Sequence, residues 1–303
     1  MAPSPRQRFL DYVRRAPGAR PVISPFLPKP DVVEATLRCL GLAACDDEIE
    51  NEVRLSRALD YQPMFMTDCH GLIFPWQEDT YRSDEHWILS TLMTPRGEWT
   101  RRISRDLGEW GDDSGFPVQT EADHDLLALV CEQIAVREPA IRSYFRHWRE
   151  RVGDDGVLVI GHPHITWLAY QIGQQNLIYH AIDYPLAFER SMAAIYQATL
   201  VVFRIALEEG IDFMSDSTYG LEMTSPEGFD RVDLPYLRLL GDWTHAHGGL
   251  FWYHNCGQTR ALLLSGRFNQ FAADVIETIA PPPEGDNDIA ESRRHLDARI
   301  CSK

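Results

Sequence analysis

The sequence predicts an α/β fold assembled from parallel β–α units, and three observations carry that prediction. Short apolar runs rich in β-branched and aromatic residues alternate with longer stretches of helical period. The helical stretches are punctuated as helices should be, with Pro, Ser or Asp at their starts and Gly at their ends. Finally, "GGLFWYHNCGQT" (Gly248 to Thr259) reads as one buried strand that breaks off into His254, Asn255, Cys256 and Gly257.

Taken in order, "ARPVISPF" (Ala19 to Phe26) reads as the first strand, and "KPDVVEATLRCLG" as a helix entered through Pro30 and Asp31 and closed by Gly41. "YQPMFMTD" (Tyr61 to Asp68) is the second strand. Residues 76–125, rich in Trp, Asp, Arg and Gly, show no clean period and read as an excursion of loops and short hairpins of the kind that covers a site. A helix from Glu121 to Val152 follows, then the strand "GVLVIGHP" (Gly156 to Pro163) and long helical stretches that end at Gly210. The strand "IDFMSD" leads to a helix with Ser225 as N-cap, Pro226 in its first position, Glu227 in its first turn and Gly248 at its end. After the Gly248 to Thr259 run come a helix near Arg260 to Ala273, a strand "DVIETIA", a helix "DIAESRRHLD" and the terminal "ARICSK".

Strands beginning near residues 21, 63, 157, 212, 250, 274 and 299, with helices between most of them, fit a parallel (β/α)8 TIM barrel whose chain stops near strand 7. One domain spanning residues 1–303 is expected, since barrels routinely exceed the usual domain size of about 50 to 250 residues. Hydrophobic residues at 44% and charged residues at 24% are ordinary for a globular chain. With 29 Lys and Arg against 45 Asp and Glu, the net charge of -16 repels phosphate backbones and anionic lipid, so nucleic acid and membrane surfaces are not expected partners. The six cysteines have no framework spacing and read as reduced thiols of a cytoplasmic protein. The N-terminus has no apolar signal core, and no uninterrupted apolar run approaches the roughly 18 residues of a membrane span.

The run "EEGIDFMSDSTYGLEMTSPEGFDRVDLPYLRLLGDWTHAHGGLFWYHNCGQTRALL" resembles the uroporphyrinogen decarboxylase superfamily, as do the later "ADVIE" and "DIAESRRHLDARIC" in the same order. That superfamily holds tetrapyrrole decarboxylases and the corrinoid-linked zinc methyltransferases that serve coenzyme M. The resemblance runs from about Val157 to Cys301 and implies a barrel with its site at the carboxyl-terminal mouth. Thr166 and Tyr170 match a Thr-x-x-x-Tyr of the decarboxylases, and Asp216, Ser217 and Gly220 match their Asp-Ser-x-x-Gly. Asp68, in "FMTDCHG", stands where those enzymes keep the aspartate that faces the pyrrole nitrogens. The arginine-rich segment by which they grip propionates is missing, and the His-x-Cys belongs to the methyltransferase branch instead.

His254 and Cys256 lie two residues apart at a strand end, so their side chains share one side and can converge on zinc, an ion that favours imidazole and thiolate; alternatively, both only pack. The resemblance implies a further Cys on the last strand. This chain lacks it, Cys301 is the sole downstream candidate, and metal affinity is therefore expected to be weak. His162 and His164 flank Pro163 at a strand's end, where they orient a substrate carboxylate or simply line a cleft, and Asp216 is grouped with them as a substrate contact. Tyr170 and Ser217 are suited to hydrogen-bond a developing anion.

Three functions follow. The first is zinc-assisted methyl transfer from a corrinoid, with a corrinoid protein as partner, to a thiol held at His254 and Cys256. The second is metal-free decarboxylation of a tetrapyrrole or smaller acid by Asp68, Tyr170 and Ser217. The third is a non-catalytic barrel subunit. Stopping near a seventh strand leaves the first strand without one neighbour, which predicts either a homodimer over the gap or a chain shortened relative to its gene.

Overall fold

A computed structural model describes residues 3–24, 30–106, 115–161, 165–218, 220–221 and 224–302. Its strands are β1 (Met64–Thr67), β2 (Gln77–Glu78), β3 (Trp87–Thr94), β4 (Gly97–Ser104), β5 (Val157–Ile160), β6 (Phe213–Thr218), β7 (Leu250–Asn255), β8 (Val275–Glu277) and β9 (Cys301–Ser302). Six of them form one parallel sheet in the order β1-β5-β6-β7-β8-β9, so each new strand joins the edge left by the last. Strands β2 to β4 form a separate antiparallel ribbon. The parallel strands are buried on both faces, as "VLVI" in β5 and "FMSDST" in β6 are throughout, which is why they read as continuous runs rather than alternating ones.

No closed barrel is formed among the described residues: the parallel sheet has six strands. The expected first strand is the difference. Pro21 to Ser24 carry no strand, Pro25 and Phe26 lie outside the described residues, and the segment touches the sheet through Gln62 N–H donating to Ile23 O at 2.8 Å. Ile23 N–H in turn donates to Gln62 Oε1 at 3.2 Å. Prolines at 21 and 25 remove the donors that a ladder would need on either side of that contact.

The excursion at 76–125 is more regular than its composition suggests. Strands β3 and β4 pair over eight residues, from Trp87 opposite Ser104 to Thr94 opposite Gly97. The ribbon is pinned by aromatic contacts: Trp76 and Trp99 lie 5.6 Å apart, the Arg101 guanidinium sits 4.7 Å over Trp76, and Trp99 Nε1 donates to Pro117 O at 3.1 Å. The stretch expected as one helix from Glu121 to Val152 is two, Glu121–Glu132 and Ile134–Val152, separated at Gln133.

The sheet's two faces carry different cores. On one, called the inner face here, Met64, Val157, Val159, Phe213, Leu250, Trp252, Val275 and Cys301 pack under the N-terminal helix Pro5–Val13. Phe9 of that helix meets Phe213 edge-on at 5.8 Å and stacks on Trp252 at 6.3 Å. The outer face is covered by long helices. The 24-residue Pro185–Glu208 is apolar enough to cross a membrane by length and composition, but half of it is buried against Glu121–Glu132 and Ile134–Val152.

At the amino end of the sheet, the buried Asp212 accepts from Arg6 Nε at 2.8 Å, Arg149 Nη1 at 3.1 Å and the Leu158 N–H at 2.9 Å. One carboxylate thus joins the N-terminal helix, an outer helix and β5. Asp212→Ala would leave two guanidinium groups facing each other and is expected to cost about 3 kcal/mol in urea unfolding. Arg6→Ala, which removes a half-exposed partner only, should cost about 1 kcal/mol.

Candidate functional site at the carboxyl end of the sheet

Parallel register brings the candidate residues together. The β6–β7 ladder sets Ser217 opposite His254, and the β7–β8 ladder sets His254 opposite Glu277. Side chains alternate along a strand, so these three share the inner face with Phe213 and Trp252 and form its last row before the strand ends. One row below, Trp252 Nε1 donates to Glu277 Oε2 at 2.9 Å, and His254 Nδ1 lies 3.3 Å from the same oxygen. Glu277 is 6% exposed, so its charge depends on these two partners.

Burial alone would lower the His254 pKa. Hydrogen bonds to Cys256 and Glu277, with the attraction of both negative groups, outweigh it and lift the imidazole from its ordinary 6.5 to about 9. At neutral pH the ring is an imidazolium held by Cys256 and Glu277. Local structure holds it there: Gly257 turns the chain at φ 77, Asn255 Nδ2 donates to Thr259 Oγ1 at 2.9 Å, and Asp286 Oδ1 accepts from the N–H groups of Thr259 and Arg260. Thr278, directly after Glu277, has φ 66 and its hydroxyl 3.5 Å from His254 Nδ1. A β-branched residue in this left-handed region stores about 1 to 2 kcal/mol, and such strain collects at functional sites.

The remaining expected residues fall in different places. Asp68 follows β1 and stays open to solvent; desolvation raises its carboxyl pKa, against the lowering effect of the His70 N–H that it accepts at 2.8 Å. Tyr170 lies on the helix Ile165–Ile172 with its ring edge-on to His70 at 5.0 Å. Thr166, from the same helix, has its hydroxyl 3.1 Å from that of Ser217. Asp216 belongs to the outer face, since it pairs in register with Tyr253, which packs on Phe268 and Phe271. The outer placement separates Asp216 from Ser217 despite their adjacency, because one step along a strand changes faces. His162 and His164 lie outside the described residues. Cys301 pairs with Val275 two residues short of Glu277 and sits in the apolar inner cluster, where burial pushes its thiol pKa up.

Glu277 is the residue that the sequence reading missed. Its signal was an acid in the middle of the apolar strand "DVIETIA", a cost that a strand buried on both faces bears only with a partner. Imidazole, thiol and carboxylate are together a zinc-type donor set. Among the described residues, however, no three His, Cys, Asp or Glu side chains are grouped so as to hold a metal ion. Cavities of about 430 and 450 Å³ lie elsewhere, and neither is lined by Ser217, His254, Cys256 or Glu277.

Because the His254 pKa is raised on folding, the stability contributed by this cluster is fully present below about pH 6.5 and is lost as pH rises through about 9. In Glu277→Gln, the imidazole titration followed by NMR should move down toward 6.5, and the decline in urea midpoint across that window should flatten relative to the unsubstituted protein.

No family model matches the sequence, and no curated protein matches it. Among solved structures, 21 chains match. One is a methyltransferase from Methanosarcina mazei, similar with a TM-score of 0.62 at 14% identity over 99% of this chain and 82% of that one. At that identity the likeness is one of fold: a mixed α/β chain whose parallel sheet and helices follow the same path.

Proposed function

We propose that this chain is a methyltransferase that passes a methyl group from a corrinoid to a thiol at the carboxyl end of its parallel sheet. The observation that carries the reading is the His254–Glu277 contact beside Cys256, at the adjoining ends of β7 and β8. The superfamily resemblance and the fold shared with a methyltransferase support it.

His254 and Cys256 would hold zinc, and Glu277 would orient the His254 imidazole through its Nδ1. When bound, the metal supplies a Lewis acid that keeps the acceptor thiol in its nucleophilic thiolate form near neutral pH. The chain's own residues prepare that state. Glu277 Oε2 is fixed by the Trp252 indole and faces His254 Nδ1, so it receives or holds the proton that the imidazole must give up. The hydroxyl pair Thr166 and Ser217 lines the next position in the row and is placed to orient the acceptor. In the transfer, a sulfur–carbon bond forms while the donor's carbon bond breaks, and its electron pair stays with the corrinoid.

Metal-free decarboxylation remains the second reading, supported by the place of Asp68 directly after β1, at the same carboxyl end of the sheet. The two are separated by incubating the protein with methylcobalamin and coenzyme M and following loss of the methylated corrinoid spectrum. Transfer should proceed, and Cys256→Ser should slow it by about 100-fold or more, in line with loss of a metal-activated nucleophile. Absent transfer, or an unimpaired Cys256→Ser variant, would sink the proposal. Since zinc must displace the proton of an imidazole with pKa about 9, zinc affinity measured by competition with a chelator should strengthen by about tenfold or more between pH 6.5 and 9.

A further inference from the structure

On the outer side of the sheet, a cavity of about 430 Å³ opens between the helix Gln174–Asp183 and the segment leading into the helix Leu234–Ala246. Its wall is mostly apolar, with Leu177, Ile182, Phe188, Leu221 and Val232 contributing, and among the described residues one acid, Asp233, faces into it. Asp233 is 9% exposed and stands where the π-helical turn Phe229–Asp233 runs on into the helix Leu234–Ala246, and its side chain makes no hydrogen bond to that helix's first N–H groups. Nor does it form a salt bridge with any described cation.

Among the described residues, the charged and titratable groups around Asp233 do not supply a partner. Asp216, on β6, is a like charge, and burial together with that neighbour raises the Asp233 pKa to about 8. Tyr253, on β7, has its hydroxyl engaged with Thr218. Arg231 lines the same cavity but is exposed and lies beyond salt-bridge distance of Asp233. A carboxyl group that faces an apolar chamber beside a second acid ionises readily only when a cation comes to it, so a cation is the counterpart that this site can accept.

We propose that this cavity binds an apolar amine, its ammonium group meeting Asp233 and its hydrocarbon body filling the space between the Gln174–Asp183 helix and Phe188, Leu221 and Val232. The volume suits a small aryl-alkyl or alkyl amine. The site is separate from the inner-face row and does not depend on the methyl-transfer reading.

Calorimetric titration of the full chain at pH 8 with 2-phenylethylammonium and with its neutral counterpart 2-phenylethanol tests the proposal. The ammonium should bind about tenfold or more tightly than the alcohol, as a hydrogen bond to a charged group gives. Asp233→Asn, which keeps the shape and removes the charge, should abolish that preference, and Leu177→Trp, which fills the cavity, should weaken both ligands. Thermal melts confirm that each variant is folded. Equal affinity for amine and alcohol, an undiminished amine affinity in Asp233→Asn, binding unaffected by Leu177→Trp, or no saturable binding of the amine would each overturn it.

Discussion

The candidate site depends on the in-register parallel pairing of β6, β7 and β8. Parallel ladders are the only arrangement here that puts the carboxyl ends of successive strands side by side, and their register decides which residues become neighbours. With Ser217, His254 and Glu277 on one row, chain positions 37 and 23 residues apart meet across the inner face. A slip of one residue in any of these strands would send its member of the row to the outer face. The apolar cluster of Phe213, Trp252 and Val275 beneath opposes that slip, since it would expose the same strands' core side chains to the wrong partners.

Buried charge is handled differently at the sheet's two ends. Asp212, at the amino end, is satisfied by two guanidinium groups and a backbone N–H, which makes it an anchor for the N-terminal helix. Glu277, at the carboxyl end, has an indole and an imidazolium whose proton is exchangeable, so its environment changes with pH or with an arriving ligand. A fixed partner gives stability and an exchangeable one permits chemistry. The division matches the general rule that open and closed parallel sheets place their ligands at the carboxyl ends of the strands.

The strained Thr278 and the clamped loop after β7 belong to the same economy of positioning. Asn255, Thr259, Asp286 and Asn287 make a buried hydrogen-bonded set that fixes how the chain leaves β7, and so fixes Cys256 relative to His254. Without that set the His-x-Cys spacing would only state that two donors are near in sequence. Two-residue spacing at a strand end allows convergence; the loop decides whether it happens.

Six of the seven expected strands stand where the apolar runs place them, because continuous burial in a parallel sheet leaves a continuous apolar signature. The caps at Ser225 and Gly210 are likewise local, Ser225 Oγ accepting from Gly228 N–H at 3.0 Å and Gly210 taking φ 82. Hairpins were legible in the excursion at 76–125, but the bounds and eight-residue pairing of the antiparallel ribbon were not, since aromatic and guanidinium stacking blurs the polar–apolar alternation by which a strand announces itself. The sequence by itself determined the parallel β–α order and placed His254 and Cys256 at a strand end, because periodicity and capping are properties of consecutive residues. Only the tertiary structure decided that Glu277 faces His254 and that Asp233 is left facing an apolar cavity. Those relations are set by register and by which face a side chain takes, and neither is written in the spacing of residues that meet across different strands.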